Sequence, residues 1–135
     1  MTDKLWTRNF LSASIGNFLL FFAFYLLIPI FPLYLIDTFE ASKSAVGLVL
    51  SAYTLAALLI RPMSGFLLDM FPRKPQYLLA FFLFVITFIS YPLVASLNLF
   101  LLFRILHGFS FGYVTTASNS LVVDIIPSSR RGEGL

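Results

Sequence analysis

Charged residues fall in clusters along this chain, and long apolar runs separate them. No charge occurs from Asn9 to Ile36, and Arg61 alone interrupts the run from Ser44 to Leu68. From Pro75 to Val123 the interruptions are Arg104 and His107. A hydrocarbon core about 30 Å thick takes about 20 helical residues to cross. The first two runs therefore hold one helix each. The third holds two and divides at Ser96-Leu97-Asn98, after Tyr91-Pro92. The pattern predicts four transmembrane helices, at about 10–34, 45–68, 76–96 and 99–123. Backbone groups in lipid must be satisfied within the segment, which favours helices. A β-barrel does not fit, because the runs show no period-two alternation. The fold class is an all-α membrane protein.

Composition supports this. The 135 residues are 59% hydrophobic and 11% charged, with a mean hydropathy of +0.93. Soluble domains run near 45–50% apolar and about 25% charged. A soluble chain of this length leaves too much surface exposed to hide so many apolar groups. The absence of cysteine excludes a disulfide-stapled scaffold. The first span is not a signal peptide. Its apolar run exceeds the usual 7–15 residues or so, and no small-x-small site follows.

Lysine and arginine set the expected orientation. Lys4, Arg8, Arg73, Lys74, Arg130 and Arg131 all fall on one side of the four spans, and Lys43 falls on the other beside Asp37 and Glu40. By the positive-inside rule both termini are cytoplasmic. The net charge of +3 thus reports topology. No basic face is organised for phosphate contacts, so nucleic acid is not an expected partner.

Charge inside a bilayer is costly and marks function by default. Arg61 is close enough to the cytoplasmic end of its span to snorkel there or to pair within the bundle. Arg104 has two readings, snorkelling toward the outer surface or facing inward. The fourth span favours the second. At about 100° per residue, Arg104, His107, Gly108, Phe111, Thr115, Ser118 and Asn119 share a face. Such a stripe does not suit lipid. Gly108 and Gly112 form a small-xxx-small pair that lets another helix approach closely. The fourth helix is therefore expected to be interior and to line a cavity. His107 is either a packing residue or a proton-sensitive group. In the first span Asn17 shares a face with Phe21, Phe24 and Ile28 and is expected to find a partner in the bundle. Pro29 and Pro32 are expected to interrupt the outer end of that span, as a local kink or as a gate. The seventeen phenylalanines read mainly as packing or lipid-facing bulk.

Asp69 and Asp124 end the second and fourth spans, where the negative end of the helix dipole disfavours an acid. Both call for compensation. Arg73 and Lys74 follow the first, and Arg130 and Arg131 follow the second. These clusters either meet across the cytoplasmic mouth as a gate or remain solvated loop charges.

The segment Arg61-Pro-Met-Ser-Gly65-Phe-Leu-Leu-Asp69-Met-Phe-Pro-Arg73-Lys74 resembles the loop 2–3 signature of the major facilitator superfamily. Gly65, Asp69, Arg73 and Lys74 match. Met70 stands where a basic residue is usual and Pro72 where glycine is usual. Arg104-Ile-Leu-His107-Gly108-x-x-x-Gly112 resembles the fourth-helix motif. The stretch from Asp124 to Gly134 resembles the segment leading into the fifth helix.

The resemblance implies two six-helix halves rocking about a central site. It implies a cytoplasmic gating network of Gly65, Asp69, Arg73, Lys74, Asp124 and Arg130. It implies a transport path that takes in Asn17, Arg104, His107, Gly108, Gly112, Thr115 and Asn119. The chain then reads as a partial N-terminal domain over residues 1–135, stopping at Gly132-Glu-Gly-Leu135 where a fifth helix begins.

The expected function is a proton-coupled secondary exporter of small molecules in a bacterial inner membrane. Its partners are lipid, substrate, protons and the missing C-terminal helices, and no cofactor is expected. The coupling acid lies outside these spans, or His107 serves. One alternative is a self-sufficient four-helix multidrug exporter acting as a dimer, which the missing first-span acid and the strong lysine and arginine bias disfavour. Another is a non-transporting membrane subunit or insertion substrate. An enzyme is not expected, because no metal or nucleophile constellation can be assembled.

Overall fold

A computed structural model describes residues 4–134. Four long helices cross back and forth: α1 Arg8–Phe39, α2 Lys43–Met70, α3 Arg73–Ser90 and α4 Leu97–Ile125. A 3₁₀ turn at Tyr91–Leu93 follows α3, another at Ser128–Arg130 follows α4, and a single turn, α5 Arg131–Gly134, comes last. The fifth-helix start expected at Gly132–Leu135 is thus one turn long, and Leu135 itself lies outside the described residues. All four long helices are long and apolar enough to cross a membrane.

Local chemistry starts three of them. Thr7, Ser42 and Ser96 each accept, on the side-chain oxygen, a backbone N–H three residues on, at 3.2, 3.2 and 3.3 Å. Each satisfies one of the orphan donors of a first turn. Helix α3 starts instead after Pro72 with no side-chain cap, and Pro75 sits in its first turn, where a missing N–H costs nothing. Tyr91-Pro92 ends α3 sooner than the apolar run suggests, and the chain tightens into the 3₁₀ turn.

Helix α1 differs from expectation. It runs unbroken through Pro29 and Pro32 for 32 residues. Phe31 and Leu35 explain this, since both are buried and pin the turns around the prolines. The helix ends at Glu40, whose left-handed φ of 51° lets its N–H and that of Ala41 both reach the Leu35 carbonyl.

Helix α4 is the hub. It packs along α2 and α3 and touches α1, whereas α1, α2 and α3 meet one another little. Its glycines make the closest approach. A Cβ on Gly108 would lie 2.3 Å from the Tyr53 carbonyl oxygen, and one on Gly112 would lie 2.4 Å from that of Ala57. Around this seam Leu20, Tyr53, Ala57, Ala80, Phe84, Phe111 and Val114 form the middle core. Phe31, Leu35, Val49, Tyr91 and Phe100 form a second core toward the α1–α2 turn. Leu5, Phe10 and Ile126 join the start of α1 to the end of α4. The phenylalanines divide as expected. Phe31, Phe84, Phe100 and Phe111 are buried, and Phe18, Phe22, Phe66 and Phe82 stand exposed on the outside.

Candidate functional site

Two polar groups stand out: an ionic cluster where α2, α3 and α4 come together, and a buried cluster halfway up α4. The first centres on Arg73, the opening residue of α3. Its Nη1 donates to both oxygens of Asp124, at 2.8 and 2.9 Å, and more distantly to the Ser120 carbonyl at 3.5 Å. Its Nη2 reaches Asp69 Oδ1 at 3.5 Å, one helical turn back in sequence. One guanidinium thus links three helices, with the stronger grip on α4. Asp69 and Asp124 remain 78% and 50% exposed, so solvent screens both pairs.

The other expected members of this cluster lie apart. Lys74 is exposed and lines a groove beside Asn9 and Ser12. Arg130 turns to Glu133, at 2.5 Å, and this hydrogen bond holds the Glu133 carboxyl below its ordinary range. A Cβ on Gly65 would meet nothing within 4 Å, so that glycine serves no close approach.

Sequence reasoning missed a neutral partner of the ionic cluster. Gln76, in the first turn of α3, donates from Nε2 to the carbonyls of Leu67, Phe71 and Pro72, at 3.1, 2.9 and 3.4 Å. These carbonyls lie at the end of α2 and in the α2–α3 turn, and that of Leu67 also accepts the Phe71 N–H. The Tyr113 hydroxyl of α4 donates in turn to Gln76 Oε1. No charge or periodicity in the sequence marks this contact.

The buried cluster settles the two readings of Arg104. It does not snorkel, being only 6% exposed, with its guanidinium over the rings of Tyr53 at 4.1 Å and Phe31 at 4.9 Å. His107 is fully enclosed, packed against Phe84 at 4.5 Å between centroids. Its Nδ1 is hydrogen-bonded to the Tyr91 hydroxyl at 2.8 Å. Of the expected interior stripe, Arg104, His107, Gly108, Phe111, Thr115 and Ser118 are buried and Asn119 is exposed.

The remaining path residues sit lower on the bundle. Thr115 donates back to the Phe111 carbonyl at 2.8 Å, so its hydroxyl is spent on its own helix. Asn17 and Asn119 face one another across a groove of about 380 Å³ between α1 and α4, shared with Ser14 and Ser118. Among the described residues Asn17 has no direct hydrogen-bond partner and lines this groove. Arg61 is exposed and lines an adjoining pocket with Thr115 and Asn119. The arrangement offers two adjoining polar grooves that share Asn119, and a buried aromatic cluster around Arg104 and His107. Among the described residues no group of histidine and acidic side chains is placed to hold a metal ion.

Comparison with known proteins places this geometry in context. The profile of the Major Facilitator Superfamily matches residues 13–135. The chain is 28% identical to the multi-drug resistance efflux pump PmrA of Streptococcus pneumoniae strain TIGR4, over 100% of the chain and 34% of the relative. It is 29% identical to the quinolone resistance protein NorA of Staphylococcus aureus strain N315, over 86% of the chain and 30% of the relative. The chain spans about a third of the length of these curated relatives.

Proposed function

The chain belongs to the major facilitator superfamily, and on that premise we propose that it forms the first four helices of a secondary transporter that exports small, largely apolar molecules, drugs among them. The reading places it with transporters rather than enzymes. It works by alternating access, two helical halves rocking about a site between them. Both ends lie on the cytoplasmic side of a bacterial inner membrane, and further helices complete the fold.

The observation that carries this reading is the Arg73 fork. A single side chain at a helix start binds Asp124 on α4 and reaches Asp69 on α2. A link of this kind exists in one arrangement of three helices and breaks in another, so it biases an equilibrium between two states. Opening it need not cost much, because the pairs are half in water. Gln76 and Tyr113 fasten the same α2–α3 turn to α4 without charge. The gating group on this reading is Asp69, Arg73 and Asp124, with Gln76 and Tyr113 in support.

The aromatic middle supports an apolar cargo, since Phe24, Tyr53 and Phe111 stack at 5.1 to 5.6 Å. The relatives named above as multi-drug efflux and quinolone resistance proteins support drugs as that cargo. The driving force on this reading is a proton gradient. Asp37, Glu40, Asp69 and Asp124 all sit at helix ends, so the acid that takes up the proton lies on a helix other than these four.

The test is retention of a lipophilic dye in energised cells. Deleting the gene should raise retention, and restoring it should lower retention only while the proton gradient is intact. Equal retention with and without the gene, across a panel of such dyes, would overturn the reading.

A further inference from the structure

The buried cluster on α4 borders a pocket of about 160 Å³ between α1, α2 and α4. Arg104, His107 and Tyr53 line it, and Arg104 Nε, His107 Nε2 and the Tyr53 hydroxyl have no hydrogen-bond partner among the described residues. Arg104 is 6% exposed and His107 is 1% exposed. A guanidinium so deeply buried is costly unless acceptors meet its N–H edges. The Tyr53 and Phe31 rings attract its charge and the Tyr91 hydroxyl lies beside it, but its Nε–H is left without an acceptor. The ion pairs among the described residues are Arg73 with Asp69 and Asp124, and Arg130 with Glu133, all far down the bundle.

His107 adds a second donor. When the Tyr91 hydroxyl donates to Nδ1, the ring proton sits on Nε2. Three donors of this kind around one pocket suit an anion with acceptor oxygens and no proton of its own, and arginine binds a carboxylate in a planar fork. The rest of the wall is apolar (Phe24, Leu27, Ile28, Phe31 and Leu50) except for Thr54 at the exposed rim. A cavity of about 150 Å³ is enough to hold a benzene ring.

We propose that this pocket binds a small aryl carboxylate, or the aryl-carboxylate end of a larger molecule, with the anion on Arg104, His107 and Tyr53 and the ring against Phe24 and Leu50. As a substrate subsite it rests on the transporter reading. As a binding site it rests on the pocket alone.

The experiment measures binding of radiolabelled benzoate to the complete protein in lipid nanodiscs by scintillation proximity. Saturable binding is expected, tighter than that of benzyl alcohol, which has the ring without the charge. Arg104→Gln should weaken it about ten- to a hundredfold, the loss of a charge-assisted hydrogen bond. Arg104→Lys keeps the charge, loses the fork and should fall between. Thr54→Phe, at the exposed rim, should block the pocket without touching Arg104. Circular dichroism of each variant verifies helix content. Benzoate binding no tighter than benzyl alcohol overturns the proposal. So does benzoate binding unchanged in both Arg104→Gln and Thr54→Phe. The dye-retention result is independent. Benzoate binding without dye export leaves the site and removes the transporter, and dye export without benzoate binding does the reverse.

Discussion

Arg73 holds Asp124 through one nitrogen, Nη1, which donates to both carboxylate oxygens at 2.8 and 2.9 Å across 51 residues of sequence. Its hold on Asp69, only four residues away, is longer at 3.5 Å. The distant partner is therefore the better one, and the α3–α4 junction is the main charge link at this end of the bundle.

Exposed ion pairs contribute about 0–1 kcal/mol. Asp124→Asn should therefore leave thermal unfolding in detergent nearly unchanged. Dye export by the complete protein should nonetheless fall several-fold, and Asp69→Asn should fall less, in line with its longer contact. Unchanged export in Asp124→Asn removes the gating role.

The glycine seam predicts a sharp contrast. Gly108→Val places a Cβ against the Tyr53 backbone oxygen, which cannot rotate away. Overpacking of this kind costs about 1–3 kcal/mol or more. Unfolding by denaturant should show that loss, and Gly112→Val should behave likewise. Gly65→Ala meets nothing and gains helix propensity, so it should be neutral or stabilising by about 0.5–1 kcal/mol.

Removing the amide of Gln76 takes a side-chain donor from the Leu67 and Phe71 carbonyls, though Leu67 keeps the Phe71 N–H. Gln76→Leu should cost about 0.5–1.5 kcal/mol, the net worth of a hydrogen bond whose acceptors keep another donor or water. Tyr113→Phe should cost less, because Gln76 keeps its carbonyl partners. Hydrogen exchange should quicken at Phe71, whose N–H closes α2 on the Leu67 carbonyl, in Gln76→Leu before it quickens in mid-helix.

Glu133 titrates low because Arg130 donates hydrogen bonds to its carboxylate. A depressed folded value means the contact adds order above the ordinary carboxylate range. That order is lost as pH falls through the depressed value. Carbon-13 titration should place the Glu133 midpoint below that of a free glutamate. Arg130→Gln should return it toward the ordinary value.

Much of the architecture was readable because a bilayer fixes the length of whatever crosses it. Three apolar runs became four helices, and side-chain caps at Ser42 and Ser96 set the starts of α2 and α4 a little before the expected 45 and 99. Pro29 and Pro32 misled because their effect depends on what holds the turns around them, and Phe31 and Leu35 do so from within the core. Arg104 carried two readings in sequence because snorkelling and burial differ only in which rings lie nearby. The polar stripe of α4 was readable as a face, but not that Thr115 would spend its hydroxyl on its own backbone. Gln76 and Tyr113 were invisible for a simpler reason: a contact across 37 residues between neutral side chains has no periodicity or charge pattern to announce it.

The central place of α4 also bears on how the protein is made. Helices α1, α2 and α3 leave the ribosome first, yet they meet one another little and meet α4 closely. Until α4 is synthesised, the carbonyls of Tyr53 and Ala57 have no glycine seam to rest on, and the Tyr53 and Phe31 rings have no arginine between them. Three inserted helices must therefore wait side by side in lipid, unlocked, for the fourth to arrive. Assembly is timed by the last of the four to be translated, and a factor that shelters unpaired helices beside the translocation channel would act in that interval.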